Sequence, residues 1–106
     1  MDLETWQAWW KNFGAIELGH LLLLWWDPIG VYGARGARDE YNGYSGKIAR
    51  MLREGADAAT IATYLGQVVE TSMGLRSSPE LETAVAERVI EWYERAMASY
   101  ETHGYA

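Results

Sequence analysis

The chain has 106 residues, no cysteine, and 15 acidic against 9 basic side chains, for a formal net charge of −6. That length makes a single domain able to bury a core, and the lack of Cys excludes disulfides, thiolate catalysis and zinc–thiolate sites and suits a reducing cytoplasm. The acidic balance opposes nucleic-acid binding, which needs clustered Lys and Arg. The start Met1-Asp2-Leu3-Glu4 lacks the basic region of a signal peptide, and the apolar run from Leu21 to Trp26 is too short for a bilayer, so neither secretion nor membrane insertion is expected.

In chain order, Asp2 is placed to cap a first helix from Leu3 to Phe13, on which Leu3, Trp6, Trp10 and Phe13 recur at helical spacing. Gly14 ends or bends it. A second helix from Ala15 to Trp26 carries Ile16, Leu18 and the run Leu21-Leu22-Leu23-Leu24-Trp25-Trp26. Six apolar residues in succession predict burial on nearly all sides and make the run the organiser of the core. It stops in Trp26-Asp27-Pro28-Ile29-Gly30, because helix rarely continues into the residue before proline. In that turn Asp27 can accept backbone N–H groups two or three residues on, and Gly30 tolerates a positive φ.

From Ile29 to Ala37, Gly30, Gly33 and Gly36 mark a loop. A helix is then predicted from Ala37 to Arg53, with Asp39 and Glu40 in its first turn favoured by the helix dipole. Its inner face is Tyr41, Tyr44, Ile48, Met51 and Leu52; Lys47, Arg50 and Arg53 face outward, and Gly55 follows as a C-terminal cap. Asp57 caps a helix from Ala58 to Met73 with a stripe of Ile61, Leu65, Val68 and Val69. Ala59, Ala62 and Gly66 allow close approach of a neighbour, and Gly74 ends the helix. Ser77-Ser78-Pro79-Glu80 opens a last helix from Pro79 to Tyr100, whose stripe is Leu81, Val85, Val89, Trp92, Ala96 and Tyr100, widened by Ile90, Tyr93 and Met97. No alternating strand pattern occurs. The expectation is an all-α fold, a compact bundle of about five helices in one domain. Residues 1–26 form the Trp- and Leu-rich helices, 27–36 the turn and loop, 37–75 a central helix pair, and 77–106 the long C-terminal helix and a short tail.

No catalytic, metal-binding or cofactor-binding constellation is visible. His20 and His103 are the only histidines and have no second ligand at helical spacing, so both read as structural. The three loop glycines follow no strand and match no phosphate-cradle pattern. Asp27 is the best single candidate for chemistry, since enclosure by Trp25 and Trp26 would raise its pKa by desolvation, although starting a turn is the ordinary role of Asp before Pro. A pocket there would use Tyr41 or Tyr44 as neighbours and Arg35 or Arg38 as an anion clamp. Asp39 and Glu40 either pair with those arginines, contact a ligand or favour the helix start.

For partner binding, Lys47, Arg50 and Arg53 form a row able to meet an acidic surface, though a solvated helix face is the commoner reason for such a row. Trp6, Trp9 and Trp10 are more informative. Trp6 and Trp10 share a face, whereas Trp9 lies about 100 degrees from Trp10, so Trp9 is expected near the rim, where an aromatic side chain can anchor a partner. Gly55-Ala56-Asp57-Ala58-Ala59-Thr60-Ile61-Ala62 has the look of a helix-turn-helix turn, but the helix after it has no basic residue to meet phosphate, and DNA binding is rejected.

The elements Trp26-Asp27-Pro28-Ile29-Gly30, Asp39-Glu40-Tyr41, Ile48-Ala49-Arg50-Met51-Leu52, Gly55, Tyr64-Leu65 and Met73-Gly74-Leu75 lie between Leu24 and Leu75, about half of the chain. In this set the segment resembles a group of small uncharacterised bacterial helical proteins with a Trp-Asp-Pro-Ile/Phe-Gly motif, some of them in toxin and immunity gene clusters. The resemblance implies a compact helical fold and no activity; the Trp-rich first helix and the long last helix depart from the pattern. The expected function is a non-enzymatic protein-binding module, of which an immunity protein masking a toxin is one form. Alternatives are a small-ligand or enzymatic domain using Asp27, and a homodimeric structural protein.

Overall fold

The computed structural model describes residues 2–27 and 41–103. Five α-helices, α1 (Leu3–Trp9), α2 (Ala15–Trp25), α3 (Asn42–Arg53), α4 (Ala58–Gln67) and α5 (Pro79–His103), account for most of them, and no strand occurs among the described residues. The fold is all-α, as expected. The helices form four continuous rods, because α1 runs into α2 through one π-helical turn at Trp10–Gly14 and α4 continues through a second at Val68–Ser72.

Gly14 therefore does not end the first helix, and the π turn changes which residues face inward. Trp6 and Trp9 are buried, and in an uninterrupted α-helix Phe13 and Ile16 would continue their face. A π turn closes its hydrogen bonds over five residues, so it inserts one extra residue. The buried face accordingly steps from Trp9 to Gly14 and on to Leu18 and Leu22, while Phe13 and Ile16 are exposed. Leu3 is exposed as well.

The residue at position 14 has to be glycine for reasons of space. A Cβ there would lie 2.7 Å from Cη2 of Trp9 and 2.8 Å from Cε3 of Trp10, and the Trp9 ring is buried and unable to retreat. Gly14→Ala should lower stability by about 1–3 kcal/mol through overpacking, although alanine is worth up to about 1 kcal/mol in helix propensity. A urea titration reads the sign, and a stabilised variant would show that the Trp9 ring is not held against this turn.

Local chemistry sets most helix ends. Asp2 accepts the Thr5 N–H at 2.8 Å; Asp57 accepts the Thr60 N–H at 2.9 Å and its hydroxyl at 2.8 Å. These bonds to the ionised form hold both carboxyls below the usual aspartate value, the Thr5 and Thr60 backbone N–H groups being the main cause. At the end of α3, Ala56 donates to the Met51 carbonyl at 2.9 Å and Gly55 to Leu52 at 3.1 Å, a Schellman closure that Gly55 permits with φ of +82°. Gly74, with φ of +66°, turns the chain out of the α4 rod, where Leu75 donates to the Val69 carbonyl at 2.9 Å.

The start of α3 differs from expectation. It begins at Asn42 with Tyr41 just ahead of it, so its first turn holds no acidic residue. Asp39 and Glu40 lie outside the described residues, as do Arg35, Arg38, Pro28 and Gly30.

The main core joins Leu18, Leu22, Leu23 and Trp26 of the first rod to Tyr41, Ile48 and Leu52, to the α4 stripe, and to Val85, Ala86 and Val89 of α5. A second cluster is built on Trp6, Trp9 and Ala49, with Trp92, Tyr93, Ala96 and Met97 of α5 against it. Two further expected core positions are exposed. Leu24, inside the apolar run, is 45% exposed, because a helix packed on one side leaves its opposite face in water even when every residue is apolar. Leu81 also faces out: Val85, Ala86 and Val89 set the inner face of α5, and one turn earlier that face falls on Glu82.

Candidate partner-binding surface

The aromatic cluster at the start of the chain is core. Trp9 is 2% exposed, which corrects the expectation that it sits at the rim. Its ring meets Trp6 at 5.8 Å, Trp10 at 6.2 Å, Trp92 at 5.9 Å and the edge of Tyr93 at 6.0 Å. The reason is α5, whose Trp92 and Tyr93 close over the side of α1 that helical periodicity alone leaves open. Trp6 is buried too and donates its indole N–H to the Tyr93 hydroxyl at 2.8 Å. Trp10 is half-buried, stacked on Trp6 at 6.0 Å with 10° between the planes.

On α3, Lys47, Arg50 and Arg53 are exposed, as their outward spacing predicts. The Arg53 guanidinium lies 5.4 Å above the Trp6 ring, a cation–π contact that ties α3 to the aromatic cluster. Arg88 stands in the same relation to Trp25, at 5.5 Å.

Around Asp27 the structure makes a brace. Asp27 adopts φ of +35°, a left-handed conformation that Asp tolerates at a helix end, and its Oδ1 accepts the Tyr41 hydroxyl at 2.7 Å. Tyr41 is buried and its ring lies 5.4 Å from that of Trp26, while Tyr44 meets Trp26 edge-on at 6.2 Å. These residues join the end of α2 to the start of α3. The backbone N–H groups expected to cap Asp27 belong to residues outside the described part.

A further exposed surface lies on the outer face of α2. Ile16 is 72% exposed and Leu24 45%, and the exposed His20 stands between them at four-residue steps, so the three share one face. Phe13, one turn earlier, is partly exposed beside them. Sequence reasoning missed this surface because it placed Ile16 and the whole Leu run in the core. The signal was the crowding of Trp9 and Trp10 before Gly14, which an undisturbed 3.6-residue period cannot accommodate.

A second feature unread in the sequence is Glu82, which is 4% exposed on the inner face of α5. Its Oε2 accepts the Ser78 N–H at 2.9 Å, satisfying a backbone donor at the helix start. The Ser78…Glu82 spacing, one residue longer than a capping box, was the available clue.

Among the described residues no group of three His, Cys, Asp or Glu side chains could hold a metal ion, and no helix is long and apolar enough to cross a membrane. Compared with known proteins, the chain matches no family model, no curated protein and no solved structure.

Proposed function

We propose that the protein is a non-catalytic protein-binding module that docks a partner on the outer face of α2. The observation that carries this reading is the exposure of Ile16 and Leu24 on one helix face, two large apolar side chains kept in water in a protein that buries most of its others. Exposed Glu17 adjoins Ile16 on α2, and the net charge is −6, so the complementary partner presents apolar side chains ringed by Lys and Arg. A toxin with a basic nucleic-acid-binding cleft has that surface, and the resemblance to proteins of toxin and immunity clusters favours it. An Asp27-centred enzyme has less support, since Oδ1 is already engaged by a buried tyrosine hydroxyl.

The test compares the wild-type chain with Ile16→Asp/Leu24→Asp, both used as bait in the cells of origin and then with the purified captured protein. A basic partner whose affinity falls by about ten- to a hundredfold in the variant, with thermal stability unchanged, is the expected result. Undiminished affinity overturns the proposal. So does a wild-type dimer in sedimentation that the variant dissolves, since that assigns the face to a second copy.

A further inference from the structure

Lys47 and Arg50 stand exposed on α3 with no carboxylate paired to either among the described residues, in a chain whose net charge is −6. Gly43 and Gly46 share their face, since positions three, four and seven apart lie side by side on a helix. A Cβ on either glycine would meet nothing within 4 Å, so packing inside the chain gives no reason for glycine there, and glycine weakens a helix relative to alanine. The face is a basic strip on bare backbone. The complement lies on α5, where Glu80, Ala84, Glu87, Glu91, Glu94 and Ala98 recur at steps of three or four and are all exposed. Arg95 flanks this acidic stripe, 3.9 Å from Glu91, while Arg88 is turned to the Trp25 ring. Both strips face water, so they do not meet within one molecule.

We propose that the basic strip of α3 docks on the acidic stripe of α5 in a second copy of the chain, the two helices lying side by side and parallel. The direction follows from the charge pattern: with Lys47 opposite Glu87, Arg50 falls opposite Glu91, the exposed Glu54 opposite Arg95, and Gly43 opposite Ala84, each step matching to within one residue. An antiparallel pairing centred on Arg50 and Glu91 instead sets Glu54 against Glu87, two like charges. Single exposed ion pairs are weak, so the register comes from the whole pattern and the close approach from the small residues. The negative net charge opposes encounter beyond the contact, a repulsion screened over about 8 Å at physiological salt. Because the two strips differ, the contact is head-to-tail and leaves one strip of each kind unused until a ring closes. Neither Ile16 nor Leu24 takes part, so this contact and the α2 docking face stand or fall separately.

The experiment is sedimentation equilibrium of the full chain over a range of concentrations at physiological ionic strength, with folding of each variant checked by circular dichroism. The wild type should gain mass with concentration, and Lys47→Glu/Arg50→Glu should weaken that association about tenfold or more, as should Glu87→Lys/Glu91→Lys. Mixing these two variants should restore it, because each then carries the charge that the other lacks. Gly46→Leu, a better helix former that removes no charge, should raise thermal stability yet weaken association by holding the helices apart, and it carries the test should a charge-reversed variant fail to fold. A wild type that stays monomeric overturns the proposal, even if another acidic protein is found on α3. So does association that survives both charge reversals, that is not restored by mixing, or that is lost in Ile16→Asp/Leu24→Asp.

Discussion

Trp9→Ala should cost about 3–5 kcal/mol of stability, the range for removing a large aromatic side chain from a packed core. The indole touches Trp6, Trp10, Trp92 and Tyr93 at once, so its removal leaves a void shared by α1 and α5 that neither helix can fill alone. Gly14 sharpens the expectation, because the turn beneath the ring leaves space for it only in the absence of a Cβ. Trp9→Phe separates two contributions. The buried indole N–H has no acceptor among the described residues, a state that itself disfavours the fold, so exchanging the ring for phenyl loses packing but removes an unsatisfied donor. Phe at this position should be much better tolerated than Ala. Denaturant titrations of both variants check the pair, and a mild effect of Trp9→Ala would return this residue to the surface.

The second large effect lies in the apolar run. Trp26 is 4% exposed and holds the rings of Tyr41 and Tyr44, so Trp26→Ala should also cost about 3–5 kcal/mol. Leu24→Ala, two positions earlier in the same run, should stay within about 0.5 kcal/mol, as expected of a surface substitution away from special features. The contrast matters more than either value. Equal losses at the two positions would mean that the run is enclosed on all sides and that α2 has no free face for a partner.

Much of the fold was legible in the sequence because the relevant physics is local. Asp2 and Asp57 cap helices as their positions predict, since the interaction spans three residues. Gly55 and Gly74 end helices because each takes the left-handed conformation that few other residues adopt readily. Burial of Ile61 and Leu65, and of Val85 and Val89, follows from the helical period wherever that period is undisturbed. The candidate surfaces were less legible. The outward row Lys47, Arg50 and Arg53 needed only spacing, whereas the roles of Trp9, Ile16 and Leu24 were assigned to the wrong sides of the first rod.

Each miss depends on a neighbour distant in the chain. A π turn forms where packing of large rings outweighs one register of α-helical hydrogen bonds, and the rings that pack on Trp9 include Trp92 and Tyr93, more than 80 positions away. Glu82 is buried because α4 offers Gly66 opposite it, and Tyr41 finds Asp27 because α2 and α3 meet there. By itself, the order of residues determined where most helices start and stop and that the domain is all-helical, because hydrogen bonding within a few residues governs those outcomes. Only the tertiary structure decided which apolar residues stay in water and which carboxylate leaves it. Those are properties of a face, and a face is defined by the helix that packs against it.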